Sequence, residues 1–65
     1  MLSELQKILI GGFKICGLKQ DDIVASMQLL KTEEQQWQMA EYLEEVIAAP
    51  PGRAEIFKKV VELAQ

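Results

Sequence analysis

Ser3 to Leu18 reads SELQKILIGGFKICGL, and the spacing of its apolar residues decides the fold. Leu5, Ile8, Leu9, Gly12, Phe13 and Cys16 recur at intervals of three and four, which places them on one face of an α-helix rather than on alternate faces of a strand. Ser3 precedes the run as an N-cap, because its hydroxyl can accept from a free amide of the first turn. Gly17 ends it: a glycine just past a helix adopts the left-handed conformation, and the apolar residue that follows, Leu18, folds back onto Phe13. Gly11 and Gly12 lie inside the stripe, where each costs about 1 kcal/mol relative to alanine. That cost at two adjacent positions predicts a close approach by a second helix, or a kink, at their level.

The same period returns three times further along the chain. A second helix is expected from near Gln20, with Asp21 and Asp22 in its first turn favouring the positive end of the helix dipole. Ile23, Val24, Met27 and Leu30 supply its buried face. Thr32 and Gln35 form a Thr-x-x-Gln capping box at the start of the third, with Glu33 and Glu34 in the first turn. This helix is expected to run to about Ala48, and its apolar residues Trp37, Met39, Ala40, Leu43, Val46 and Ile47 cover a wider arc than one groove requires. Pro50-Pro51-Gly52 breaks the chain. Arg53 to Ala64 reads as the fourth helix, with Ile56, Phe57, Val60, Val61 and Leu63 apolar. No segment alternates with a period of two, so no strand is assigned. Short connections at Gly17 to Lys19 and at Lys31-Thr32 predict that successive helices pack as near neighbours. The expected fold is all-α: a compact bundle of four short helices, with residues 1–65 forming one domain.

Composition narrows the chemistry. A chain of 65 residues removes only about 60% of its unfolded surface from water, so its stability margin is thin. Cys16 is the sole cysteine and there is no histidine, which rules out an internal disulfide and a thiolate–imidazole zinc site. Cys16 lies on the apolar stripe and reads as a small buried hydrophobe. Without histidine the commonest general base near neutral pH is missing. Asp21 and Asp22 are adjacent, so their side chains diverge on a helix. Glu41 and Glu45 share a face one turn apart and could hold a hard cation, but a solvated helical face is the expected reading. No catalytic residue, cofactor or metal is therefore expected, and the chain is not read as an enzyme. Its longest apolar stretch, Ile8 to Phe13 between Lys7 and Lys14, is far short of the roughly 20 residues that cross a bilayer. The N-terminus carries no basic leader followed by an apolar core, and with its lone thiol the chain is expected in the reducing cytoplasm.

Leu2-Ser3, Glu4-Leu5 and Gly11-Gly12 resemble the double-glycine leader of exported bacteriocin-like peptides over twelve residues, a resemblance that would imply a cut after Gly12. The register departs from that family: counting back from Gly12, Leu5 stands where its glutamate falls and Gln6 where an apolar residue belongs. The glycine pair is accordingly read as a packing device.

Charge is distributed unevenly. Residues 20–49 hold seven acidic side chains against Lys31 alone, and the flanking segments are slightly basic. A helix-turn-helix reader of DNA is disfavoured by this distribution, since phosphate contacts come from cations and the would-be recognition helix carries Glu33, Glu34, Glu41, Glu44 and Glu45. Aligning Ala25 with that motif's small residue also puts Leu29 where its turn glycine stands, and Gln35 and Gln38 where apolar residues belong. A basic patch from Lys7, Lys14, Lys58 and Lys59, assembled if the first and fourth helices are adjacent, keeps DNA binding as the alternative. The leading expectation is a non-catalytic protein–protein interaction or regulatory module with an unidentified protein partner, nucleic acid and membrane being disfavoured. The third helix offers the surface: Trp37, Met39 and Tyr42, residue types enriched at interface centres, beside Glu41, Glu44 and Glu45. A lone tryptophan usually anchors a small bundle, so Trp37 is assigned to the core before the interface. A homo-oligomer that pairs one patch twice is the other expected use of the apolar surplus.

Overall fold

The structure, a computed structural model, describes residues 2–65 and contains four helices: α1 (Glu4–Ile15), α2 (Gln20–Leu29), α3 (Glu33–Val46) and α4 (Arg53–Ala64). No strand occurs among the described residues. The local signals act as their chemistry dictates. Ser3 and Gln6 form a reciprocal capping box at the start of α1, and Thr32 and Gln35 form another at the start of α3. In each, the hydroxyl accepts from the backbone amide three residues on at 3.1 Å, and the glutamine carbonyl accepts from the cap's own amide. Gly17 has φ of +88°. Its amide donates to the Lys14 carbonyl and that of Leu18 to the Phe13 carbonyl, both at 3.0 Å, so the last carbonyls of α1 are satisfied and the chain turns sharply back.

Packing joins α1 to α2 and α3, and α4 to α2 and α3, with no backbone approach across either diagonal. The order around the bundle is therefore α1, α2, α4, α3. The expectation that successive helices are neighbours holds for α1 with α2 and for α3 with α4 but fails for α2 with α3, which lie across the diagonal despite a connection of only three residues, 30–32. Two interactions accompany this arrangement. Gln36 donates its side-chain amide to the Leu30 carbonyl at 2.9 Å, tying the first turn of α3 to the C-cap of α2. Gly12 then gives α3 its closest seat, on α1: a Cβ at Gly12 would lie 3.0 Å from Leu43 Cδ1. Of the two glycines only Gly12 is packed in this way, for nothing lies within 4 Å of a Cβ placed on Gly11. The helix runs unbroken through both.

Leu5, Leu9, Phe13, Cys16, Leu18, Ile23, Leu30, Met39, Ala40, Leu43, Ile56 and Val60 form the core. Several assignments made from periodicity change. Ile8, Val24 and Val61 are exposed, and so is Trp37. The inward positions of α2 are Ile23 and Ser26, followed by the buried C-cap Leu30, a register in which the serine takes the place expected of Val24. Ser26 is fully buried, and its hydroxyl has no hydrogen-bond partner. An unpaired buried hydroxyl costs about 1–3 kcal/mol, and alanine fills nearly the same space. Ser26→Ala is thus expected to stabilise the chain by about 1 kcal/mol, read as a higher urea midpoint with an unchanged slope.

The Arg53 side chain, at the start of α4, forks onto Asp22 in the first turn of α2, with Nε to Oδ2 at 2.5 Å and Nη2 to Oδ1 at 3.1 Å. The guanidinium holds the Asp22 carboxyl below its usual range. A carboxylate so depressed adds stability above its unfolded pKa of about 3.9 and loses it as pH falls through the folded value. Arg53→Gln is expected to reduce the melting temperature at neutral pH and to leave it nearer to wild type at acidic pH, where Asp22 is protonated in both chains. Thermal melts across that range check this.

Candidate protein-interaction groove between α1 and α3

The close seating of Leu43 on Gly12 sets the geometry of the surface beside it. Helices α1 and α3 run side by side in the same direction: Leu5 shares a depression with Gln36 and Trp37 at the N-terminal end, and Ile15 lies alongside Ile47 at the other. Between them runs an open groove of about 420 Å³. Its floor is Gly11, Gly12, Ala40 and Leu43, three small residues and one buried leucine. Ile8 and Ile15 stand on the α1 wall, Trp37 and Ile47 on the α3 wall. These four are 51%, 60%, 49% and 43% exposed, so more than half of the exposed large apolar side chains among the described residues surround one concavity. Lys7 edges the groove on the α1 side, and Glu41 and Glu44 edge it on the α3 side.

The residues expected to form a partner surface divide among three locations. Trp37, Glu41 and Glu44 border the groove. Tyr42 and Glu45 lie one helical face away, beside Lys59 in a shallower polar depression of about 270 Å³ between α3 and α4, which Glu41 also borders. There the Lys59 ammonium sits 5.3 Å from the centre of the Tyr42 ring, a cation–π contact, and burial first, then the nearby Glu55 carboxylate, raises the phenol pKa. Met39 is a correction: it is fully buried in the core, because the seating of α3 on Gly12 turns it inward beside Leu43 and directs Trp37 outward. Trp37, expected in the core, is on the groove wall instead.

Periodicity concealed Ile8, Ile15, Ile47 and Gly11 as groove residues. The signal present in the sequence is a second α1 stripe, Ile8, Gly11 and Ile15, offset from the core stripe by about one residue. Ile8 satisfies both stripes, and only the placement of α3 decides between them.

The basic patch expected of Lys7, Lys14, Lys58 and Lys59 required α1 and α4 to be adjacent, and they lie on the diagonal. Lys7 is 3.9 Å from the Glu4 carboxylate, and Lys59 is turned onto Tyr42. Cys16 is buried, and burial raises its thiol pKa, the reverse of what an attacking thiolate needs. Among the described residues no helix is long and apolar enough to cross a membrane, and no group of three His, Cys, Asp or Glu residues could hold a metal ion. No family model, no curated protein and no solved structure matches this chain.

Proposed function

We propose that this chain is a non-catalytic protein–protein interaction module of the cytoplasm, and that the α1/α3 groove is where its protein partner docks. One observation carries the reading: Ile8, Ile15, Trp37 and Ile47 gather half-exposed around a single concavity with a small-residue floor. Such a site accepts an apolar ridge, and a tryptophan on its wall is the residue type most enriched where binding energy concentrates. Scattered single apolar residues would need no explanation, whereas a contiguous patch with a polar rim marks a contact surface. The lone buried thiol fits a reducing compartment.

The test is affinity capture with the purified chain, comparing wild type with Trp37→Glu, Ile15→Glu and the control Val24→Glu. Val24 is exposed on the opposite side of α1, in a second apolar groove shared with α2. Capture of a protein by wild type and the control, and its loss with both groove variants, supports the reading. Equal capture by all four chains sinks it. A gel shift with duplex DNA at low salt tests the DNA-binding alternative directly, since even weak phosphate contacts register there.

A further inference from the structure

We infer that the groove's occupant is a second copy of this chain, docked so that each copy's α1 lies over its partner's α3 about a two-fold axis running along the groove. The inference rests on the docking role proposed above and adds the partner's identity and orientation.

On the α1 side the charged residue bordering the groove is basic, Lys7, whose exposed pair with Glu4 at 3.9 Å is weak, and on the α3 side both are acidic, Glu41 and Glu44. Lys14 follows Lys7 by two helical turns on the same flank of α1 and is exposed. Residues 32–52 contain no Lys or Arg at all. A surface with opposite-sign rims is complementary to itself, provided that the symmetry brings unlike rims together.

Two face-to-face arrangements are available to a two-fold dimer of this surface. An axis across the groove sets α1 over α1 and α3 over α3, which puts Glu41 and Glu44 against their own copies and costs free energy through like charge. An axis along the groove sets α1 over α3. The register that seats Gly12 on Leu43 is preserved by that axis. Lys7 then comes within one helical turn of Glu41 in the partner, and Lys14 arrives at the level of Glu44 and Glu45. Charge therefore selects the second arrangement.

Packing agrees with it. The four helices contributed by two copies close around Ile8, Ile15, Trp37 and Ile47 from each, so that both grooves are filled from the opposite wall. A stable interface removes about 800 Å² from each partner, under a fifth of the 4373 Å² surface of this chain. Association is also one of the few sources of added stability open to a small domain without metal or disulfide.

The experiment is sedimentation equilibrium over micromolar to millimolar concentrations on four full-length chains: wild type, Trp37→Glu, the one-sided reversal Lys7→Glu with Lys14→Glu, and the full reversal that adds Glu41→Lys and Glu44→Lys. Every altered side chain is exposed, and circular dichroism confirms that each variant is folded. Expected are a wild-type dimer, a monomer for Trp37→Glu, association weakened on the order of tenfold or more for the one-sided reversal, and recovery of the dimer in the full reversal. A wild-type dimer that is indifferent to the one-sided reversal overturns the stated orientation. A wild-type chain that stays monomeric throughout overturns self-docking. If Trp37→Glu nevertheless abolishes capture of a different protein, the interaction reading stands without this inference; if it changes no capture, both fall.

Discussion

Phe13→Ala is expected to unfold this chain, and Trp37→Ala to leave it folded. Phe13 is fully buried at the middle of the core, and truncating a buried phenylalanine costs about 3–5 kcal/mol through lost transfer energy and the cavity left behind. At roughly 0.05–0.15 kcal/mol per residue, the whole chain has only about 3–10 kcal/mol to lose. A chain this small is expected to lie in the lower half of that range, where a two-state domain passes most of its population to the unfolded state at 37 °C. Trp37 is half-exposed on the groove wall, so its truncation forfeits partial contacts and is expected to cost about 1 kcal/mol or less. Urea titrations of the two variants followed by circular dichroism check the contrast. A stability loss for Trp37→Ala equal to that of Phe13→Ala would return the tryptophan to the core and remove the groove.

The glycine pair carries the second large effect, and it is opposite in sign at adjacent positions. A Cβ on Gly12 meets Leu43 Cδ1 at 3.0 Å and Leu43 Cβ at 3.4 Å, and although the end of the Leu43 side chain can turn, its Cβ is fixed to the α3 backbone and no rotamer change moves it. Gly12→Leu must separate α1 from α3, an overpacking expected to cost about 2–3 kcal/mol even after the gain in helix propensity. For a domain of this size that lowers the melting temperature by roughly 10 °C or more. Gly11 faces open space at the groove floor, and Gly11→Ala is expected to stabilise by up to about 1 kcal/mol, the helix-propensity gain alone. Calorimetry on both single variants tests the pair. Equal effects at the two positions would mean that α3 is not seated on Gly12. Because alanine at position 11 also adds a methyl to the groove floor, the same variant probes docking in a folded, stabilised background.

Much of the architecture was legible from short-range chemistry. Ser3 with Gln6, Thr32 with Gln35, Gly17 before Leu18, and Pro50-Pro51-Gly52 mark where helices begin and end, and the observed boundaries follow them, except that α3 stops at Val46 rather than near Ala48. These signals work within a few residues, where geometry leaves few options. The core stripe of α1 was equally plain, apart from Ile8. What escaped was relational. Ser26 rather than Val24 faces inward on α2, and nothing in a run of Ile23, Val24, Ala25 and Ser26 ranks those choices until α4 is in place. The groove was half visible: Trp37, Glu41 and Glu44 were picked out from composition, whereas Met39 belonged to the core and Tyr42 and Glu45 to the neighbouring seam.

Helix identity, helix limits, the lack of bridge-forming cysteines and the acidic character of α3 follow from residues close together in the chain, through hydrogen bonds and periodicities that need no neighbour. Which helices touch, and therefore which of two overlapping apolar stripes is buried, was decided by tertiary packing. A helix with apolar residues on more than half its circumference can present several faces at similar cost. The choice fell to the closest fit, that of Leu43 on Gly12. It turned Met39 in, Trp37 out, and left the groove between.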